Sequence, residues 1–255
     1  MIVRFASGGD ELQAALYLPE PETRGPLGAS ALPRPAPALP RPAVVIVHDV
    51  WGLYDQYHQV AQRLARAGFV ALALDLYTRG EQPGSPSDMP GVMKFLHRLP
   101  DRRVLADIQT ALDFLRARPE VAGRKLGLTG FCMGGKYADL AAVRCRGLSA
   151  VVSWYGMLRA DALDDANPEH ALDALAELRC PLLALFGADD VLIPQRDVGE
   201  LRSRASERAL PVEIVVYTGA GHAFANDSRP EAFREAAAAD AWHRALAFFA
   251  RELES

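Results

Sequence analysis

Six residues, Gly130-Phe131-Cys132-Met133-Gly134-Gly135, constrain the fold of this chain more than any other stretch. Before them, Lys125-Leu126-Gly127-Leu128-Thr129 is short and apolar and reads as a buried strand. After them, Lys136 to Arg144 is rich in Ala and Leu and reads as a helix. A strand that stops at a glycine, presents one nucleophilic side chain and enters a helix through further glycines is a nucleophile elbow. Gly130 and Gly134 flank Cys132 where side chains would crowd the tight turn, and glycine tolerates the strained dihedrals. Ser is the usual nucleophile at such a turn. This chain has Cys.

The remainder of the sequence supplies a setting for that elbow. Residues 2–6 and 11–18 favour β structure around Gly8-Gly9-Asp10, so a β-hairpin opens the chain. Pro19 to Pro42 is dense in Pro, lacks ladder donors and has little to bury, which predicts an extended surface loop. Ala43 to His48 is a β-branched apolar run that predicts a central parallel strand. A helix is expected over about 56–67, closed by Gly68, and Phe69 to Leu74 reads as the next strand. Val92 to Leu99 is a short amphipathic piece placed over the top of the fold. Asp101 reads as the N-cap of a helix running to Arg116. Strands follow at Leu148 to Trp154, Pro181 to Phe186 and Val212 to Tyr217, with helices at Ala171 to Leu178 and about 195–207. A last helix over about 230–252 turns Phe233, Trp242, Leu246 and Phe249 inward. After the hairpin, alternating strands and helices predict an α/β fold: a mostly parallel central sheet with helices on both faces, in a single domain over 1–255.

Composition narrows the functional classes. With 255 residues, half of them hydrophobic, the chain can bury one large core. Its 28 basic and 32 acidic residues are well mixed, and no basic stripe suggests nucleic acid. No apolar run is long enough to span a bilayer, and the first residues carry no signal-peptide pattern. The three cysteines, 132, 145 and 180, are irregularly spaced, which suits free thiols in a reducing, cytoplasmic setting. No metal-ligand spacing is visible and no cofactor is expected.

Ligands of parallel sheets bind beyond the carboxyl ends of the strands. Asp49, Arg79, Cys132, Tyr155, Asp190 and His222 all fall just after predicted strands. The order nucleophile, acid, His on successive post-strand loops is that of the α/β-hydrolases. Cys132 would attack a carbonyl, His222 would carry the proton, and Asp190 would orient the imidazole. Asp190 is preferred to Asp189 because it stands four residues before Pro194, although either could cap that turn. The backbone N–H groups of Val50 and Met133 are the natural oxyanion donors. Trp51, Tyr54, Trp154 and Tyr155 stand where they could line an apolar pocket. Cys145 and Cys180 read as inert, and His48 could border the site.

Taken together, His48-Asp49-Val50-Trp51-Gly52, Asp75-Leu76-Tyr77-Thr78-Arg79, the elbow, Gly187-Ala188-Asp189-Asp190 and His222-Ala223-Phe224 resemble the dienelactone hydrolase (carboxymethylenebutenolidase) family from residue 43 onward. The resemblance implies a Cys132–His222–Asp190 triad and hydrolysis of lactones or small esters through an acyl-cysteine. Asp49 stands where that family commonly has a Glu that holds and deprotonates the thiol. Of two arginines that bind a substrate carboxylate in the family, Arg79 matches the first, and Asn226 occupies the second position. The expected partner is a small-molecule ester or lactone, on a monomer or small homo-oligomer. A general carboxylesterase or thioesterase is the alternative within the enzymes. A non-catalytic ligand or redox sensor at Cys132 is the alternative outside them.

Overall fold

The computed structural model describes residues 1–19, 40–160 and 162–254. Most of the proline-rich segment, residues 20–39, lies outside the described residues. Strands β1 (Ile2–Ser7) and β2 (Asp10–Tyr17) form the opening hairpin, turned by Gly8 and Gly9 at φ of 59° and 94°. Left-handed backbone of this kind is what glycine permits at a tight turn. Then follow β3 (Ala43–Val47), α1 (Asp55–Arg66), β4 (Val70–Asp75), α2 (Met89–Arg98), α3 (Asp101–Arg116), β5 (Leu126–Phe131) and α4 (Met133–Arg144). The chain continues through β6 (Leu148–Trp154), α5 (Ala171–Ala174), β7 (Leu182–Gly187), α6 (Gln195–Arg208), β8 (Val212–Tyr217) and α7 (Glu235–Leu253).

The eight strands form one sheet in the order β1-β2-β4-β3-β5-β6-β7-β8. β1 with β2, and β2 with β4, pair antiparallel; from β4 to β8 every pairing is parallel. Every residue of β3, β5 and β7 is buried, as expected of strands covered on both faces. On one face α1 and α7 meet, with the Arg63 guanidinium 4.5 Å above the Trp242 ring. On the other, α3 and α4 are joined by a buried ion pair, Lys136 Nζ to Asp101 Oδ1 at 2.7 Å.

The chain leaves β3 toward β4 on one side and β5 lies on its other side, so the sheet order reverses there. At that switch point the loops after β3 and β5 part and leave a crevice. Register places Val47 opposite Gly130 and Phe131 opposite Trp154, so the ends of β3, β5 and β6 lie side by side.

Two local expectations differ. Asp101 does not cap α3: Pro100 holds the cap position in extended backbone, and Asp101 enters the first turn with its carboxylate on Lys136. The last helix begins at Glu235, not near 230. Arg234 is extended, with its N–H drawn to the Phe224 carbonyl, and this holds residues 226–233 in turns. Phe233 therefore precedes the helix, Trp242 and Phe249 are buried in the core, and Leu246 is partly buried.

Candidate active site

Cys132 sits at the end of β5 with φ 55° and ψ −114°, a conformation that L-residues rarely hold. The turn is over-determined by its neighbours. A Cβ on Gly130 would stand 1.9 Å from the Gly134 carbonyl oxygen, and one on Gly134 would stand 2.3 Å from that of Val47. The Cys132 N–H is tied to the Trp154 carbonyl at 3.0 Å, and its own carbonyl accepts the Lys136 N–H in the first turn of α4. The thiol is left half-buried at the floor of a cavity. Tyr155 and Ala223 also have positive φ, 39° and 61°. Cys132 and Ala223 both line the cavity, and strained backbone clustered in this way is a common mark of a functional site.

His222 lies on the loop after β8, its Nδ1 2.8 Å from Asp190 Oδ2. The other Asp190 oxygen accepts the N–H groups of Leu192 and Ile193, which fixes the loop after β7. Asp189 makes no such contact, and its N–H instead donates to the Ala220 carbonyl. His222 Nε2 is buried without a hydrogen-bond partner among the described residues. Burial pulls the His222 pKa down, but the Cys132 sulfur and the Asp190 carboxylate outweigh it and raise it to about 10.

Asp49 caps the loop after β3. Its Oδ1 accepts the Trp51 N–H at 2.9 Å and its Oδ2 accepts the Tyr54 hydroxyl at 2.9 Å. The Tyr57 hydroxyl accepts the Asp49 N–H at 2.9 Å. Burial raises the carboxyl's pKa, and the Trp51 N–H and Tyr54 hydroxyl offset part of that rise. Behind Tyr54 the network is directional. The Ser228 N–H can only donate, so the atom it meets at 3.1 Å is Asn226 Oδ1. Asn226 Nδ2 therefore faces the Tyr54 oxygen at 2.8 Å, and the one Tyr54 proton is directed to Asp49.

Two further side chains brace the Val50 peptide. The Tyr77 hydroxyl donates to the Val50 carbonyl at 3.0 Å. His48 Nε2 accepts the Leu76 N–H at 3.1 Å, so its proton is on Nδ1, which donates to the Asp49 carbonyl at 2.6 Å. Burial lowers the His48 pKa and keeps that ring neutral. The N–H groups of Val50 and Met133 have no acceptor among the described residues, and Met133 begins a helix whose first-turn donors are open.

The cavity measures about 730 Å³. Asp49, Val50, Trp51, Tyr54, Cys132 and His222 line its floor, and Met89, Val92, Met93 and Leu96 of α2 form one wall. The amphipathic piece expected above the fold is this helix. Met157, Val191 and Leu192 complete the apolar walls, with Ser228, Arg229 and Glu231 at the rim.

Four residues expected at the pocket are elsewhere. Arg79 points to α3 and the hairpin, where Asp107 and Asp10 hold its guanidinium at 2.8 and 2.6 Å and push its pKa up. Trp154 is fully buried, stacked on Phe131 with Nε1 on Thr129 Oγ1 at 2.9 Å. A side chain at that register faces α7, not the crevice. Tyr155 packs edge-on behind the His222 ring at 5.2 Å. Asn226 is buried, with its Nδ2 on the Tyr54 oxygen. Conversely, Tyr57 and the methionines of α2 were available from spacing. Tyr57 extends the Val60, Leu64 stripe one turn back, and Met89, Met93 and Leu96 recur at four and three residues. Arg229 and Glu231 carry no such signal. Cys145 and Cys180 are free thiols whose pKa values burial raises to about 12 and about 11, in keeping with inert cysteines.

An eight-stranded sheet with an elbow after β5, a carboxylate after β7 and an imidazole after β8 defines an α/β-hydrolase. Within that class the chain belongs to the dienelactone hydrolase family, whose model matches residues 29–253. It is accordingly a hydrolase of the dienelactone hydrolase type. It is 36% identical over 209 residues to a Salmonella typhimurium protein named "Putative carboxymethylenebutenolidase", covering 82% of this chain and 76% of that one. It is 34% identical over 226 residues to a Bradyrhizobium protein named "Probable 2-oxo-3-(5-oxofuran-2-ylidene)propanoate lactonase", covering 89% and 90%. Among solved structures, a dienelactone hydrolase from Klebsiella pneumoniae, itself described as putative, superposes with a TM-score of 0.85 at 31% identity over 98% of both chains. No helix among the described residues is long and apolar enough to cross a membrane.

Proposed function

We propose that the chain opens lactones or cleaves small esters through an acyl intermediate on Cys132. The observation that carries this reading is the Asp190–His222 hydrogen bond, with the free Nε2 raised in basicity by the neighbouring Cys132 sulfur. Cysteine is nucleophilic only as thiolate, and an imidazolium beside the sulfur stabilises that form as an ion pair. The sulfur attacks the carbonyl carbon, forming a C–S bond, while the oxyanion is received by the Val50 and Met133 N–H groups. Collapse breaks the C–O bond, and His222 gives its proton to the departing alkoxide, which in a lactone stays tethered to the acyl group. His222 then takes a proton from water, hydroxide attacks the thioester, and the Cys132 thiolate is released with the acid. Asp49, a carboxylate made more basic by burial, serves as an auxiliary acceptor for the thiol proton.

Removal of the sulfur tests this. Cys132→Ala is expected to lose at least ~10³-fold in kcat on a panel of unsaturated lactones and 4-nitrophenyl esters, the scale seen when a nucleophile is deleted. Turnover equal to wild type would overturn the proposal.

A further inference from the structure

The charges around the cavity do not suit an anionic substrate. Arg79, the matching candidate for a carboxylate ligand, is turned away and held by Asp10 and Asp107. Position 226 is a neutral amide engaged with Tyr54 and Ser228. Among the described residues that line the cavity, Arg229 is the one Lys or Arg, and its guanidinium is bridged to Glu231 at 3.0 Å. Glu231 lines the same rim, and Asp49 lies on the floor. With the Cys132–His222 pair neutral as a unit, the two carboxylates outnumber the guanidinium.

The walls are apolar in the direction away from the nucleophile. Met89, Met93, Leu96 and Met157 line the cavity together with Val191 and Leu192, which are 89% and 45% exposed. Large side chains left this exposed are stabilised when a ligand covers them. Unbranched methionines adapt to ligands of differing shape. A carboxylate placed along these walls would lose its hydration without gaining a partner. Pockets of ~300–1,000 Å³ accommodate drug-sized ligands, so 730 Å³ exceeds the need of a small ring alone.

We infer that the substrate of this site is a neutral lactone or ester carrying an extended apolar substituent, which lies along the α2 wall toward Val191 and Leu192. This rests on the hydrolase reading above and adds the substrate class. The test compares 4-nitrophenyl hexanoate with 4-nitrophenyl hydrogen adipate, which present the same chain length with a terminal methyl or a terminal carboxylate. The expected kcat/KM is at least ~10-fold higher for the hexanoate, the lower end of what one methylene is worth in a hydrophobic pocket. Leu192→Lys, at an exposed position, is expected to narrow that ratio at least ~3-fold. An adipate ester turned over as well as the hexanoate, or a ratio indifferent to Leu192→Lys, would overturn the inference. If neither ester were cleaved, the hydrolase reading would fall, and the substrate class would be read from calorimetric binding of 2-octanone against 7-oxooctanoate. Tighter binding of the ketone without the carboxylate upholds the inference. Equal or tighter binding of the keto acid contradicts it.

Discussion

At the scale of single residues, the chain from Ser228 through Asn226 and Tyr54 to Asp49 ties two sequence departures together. Asp49 is one methylene shorter than Glu, and Tyr54 donates to its Oδ2 at a fixed position because Asn226 orients the phenol. A donor to the ionised form lowers a carboxyl pKa, so removing it raises that pKa. Tyr54→Phe removes one hydrogen bond to a charged group, worth ~1.5–3 kcal/mol. It is expected to move the acid limb of kcat/KM upward by ~1–2 pH units. Asn226→Ala should move it in the same direction by less, because Tyr54 keeps its hydroxyl. An acid limb that stays in place in both variants would remove Asp49 from the proposed proton transfers. Asp49 was visible in the sequence as a post-strand residue and Tyr54 as a pocket residue, while Asn226 stood out only through the family resemblance. Their connection was not, because it joins positions 172 residues apart and depends on which way an amide faces.

At the scale of elements, α4 carries a buried carboxylate with no role in the proposed chemistry. Asp139 is 1% exposed, and neither oxygen has a partner among the described residues. Its neighbour Ser153 donates its proton to the Gly135 carbonyl at 3.2 Å and offsets only part of the cost of burying the carboxylate. Burial raises its pKa to about 8. An unfolded Asp titrates near ~3.9. Between these values the folded chain binds a proton that the unfolded chain has released, so this group lowers stability as pH rises, by ~1.4 kcal/mol per unit. Asp139→Asn cannot ionise, and its advantage over wild type should grow from pH 5 to pH 8 in urea unfolding and level off above. Parallel pH–stability curves for the two proteins would contradict this. The elements themselves were legible from apolar runs of period two and period 3.6. Their ends were less so: Asp101 prefers a buried Lys136 to capping, and the Arg234 N–H is drawn to Phe224. Both are tertiary contacts that local pattern does not contain.

Over the whole molecule, sheet order turns a linear sequence into one crevice. β3 and β5 lie side by side with their loops at the same edge, and β7 and β8 bring Asp190 to His222 from the far side. That edge was readable in advance because reactive residues followed one strand after another. The pocket walls were harder to read, since facing the crevice or the core is decided by register and helix packing. Trp154 faces α7 for that reason, and Arg79 is captured by Asp107 on α3. The central claim is that the crevice works through a covalent bond to Cys132. Its most direct measurement is mass spectrometry of the protein quenched in acid during turnover of 4-nitrophenyl hexanoate. The account predicts one added hexanoyl group on the peptide containing Cys132, and none on those containing Cys145 or Cys180. Steady turnover with a Cys132 peptide that stays unmodified at every quench time would contradict it.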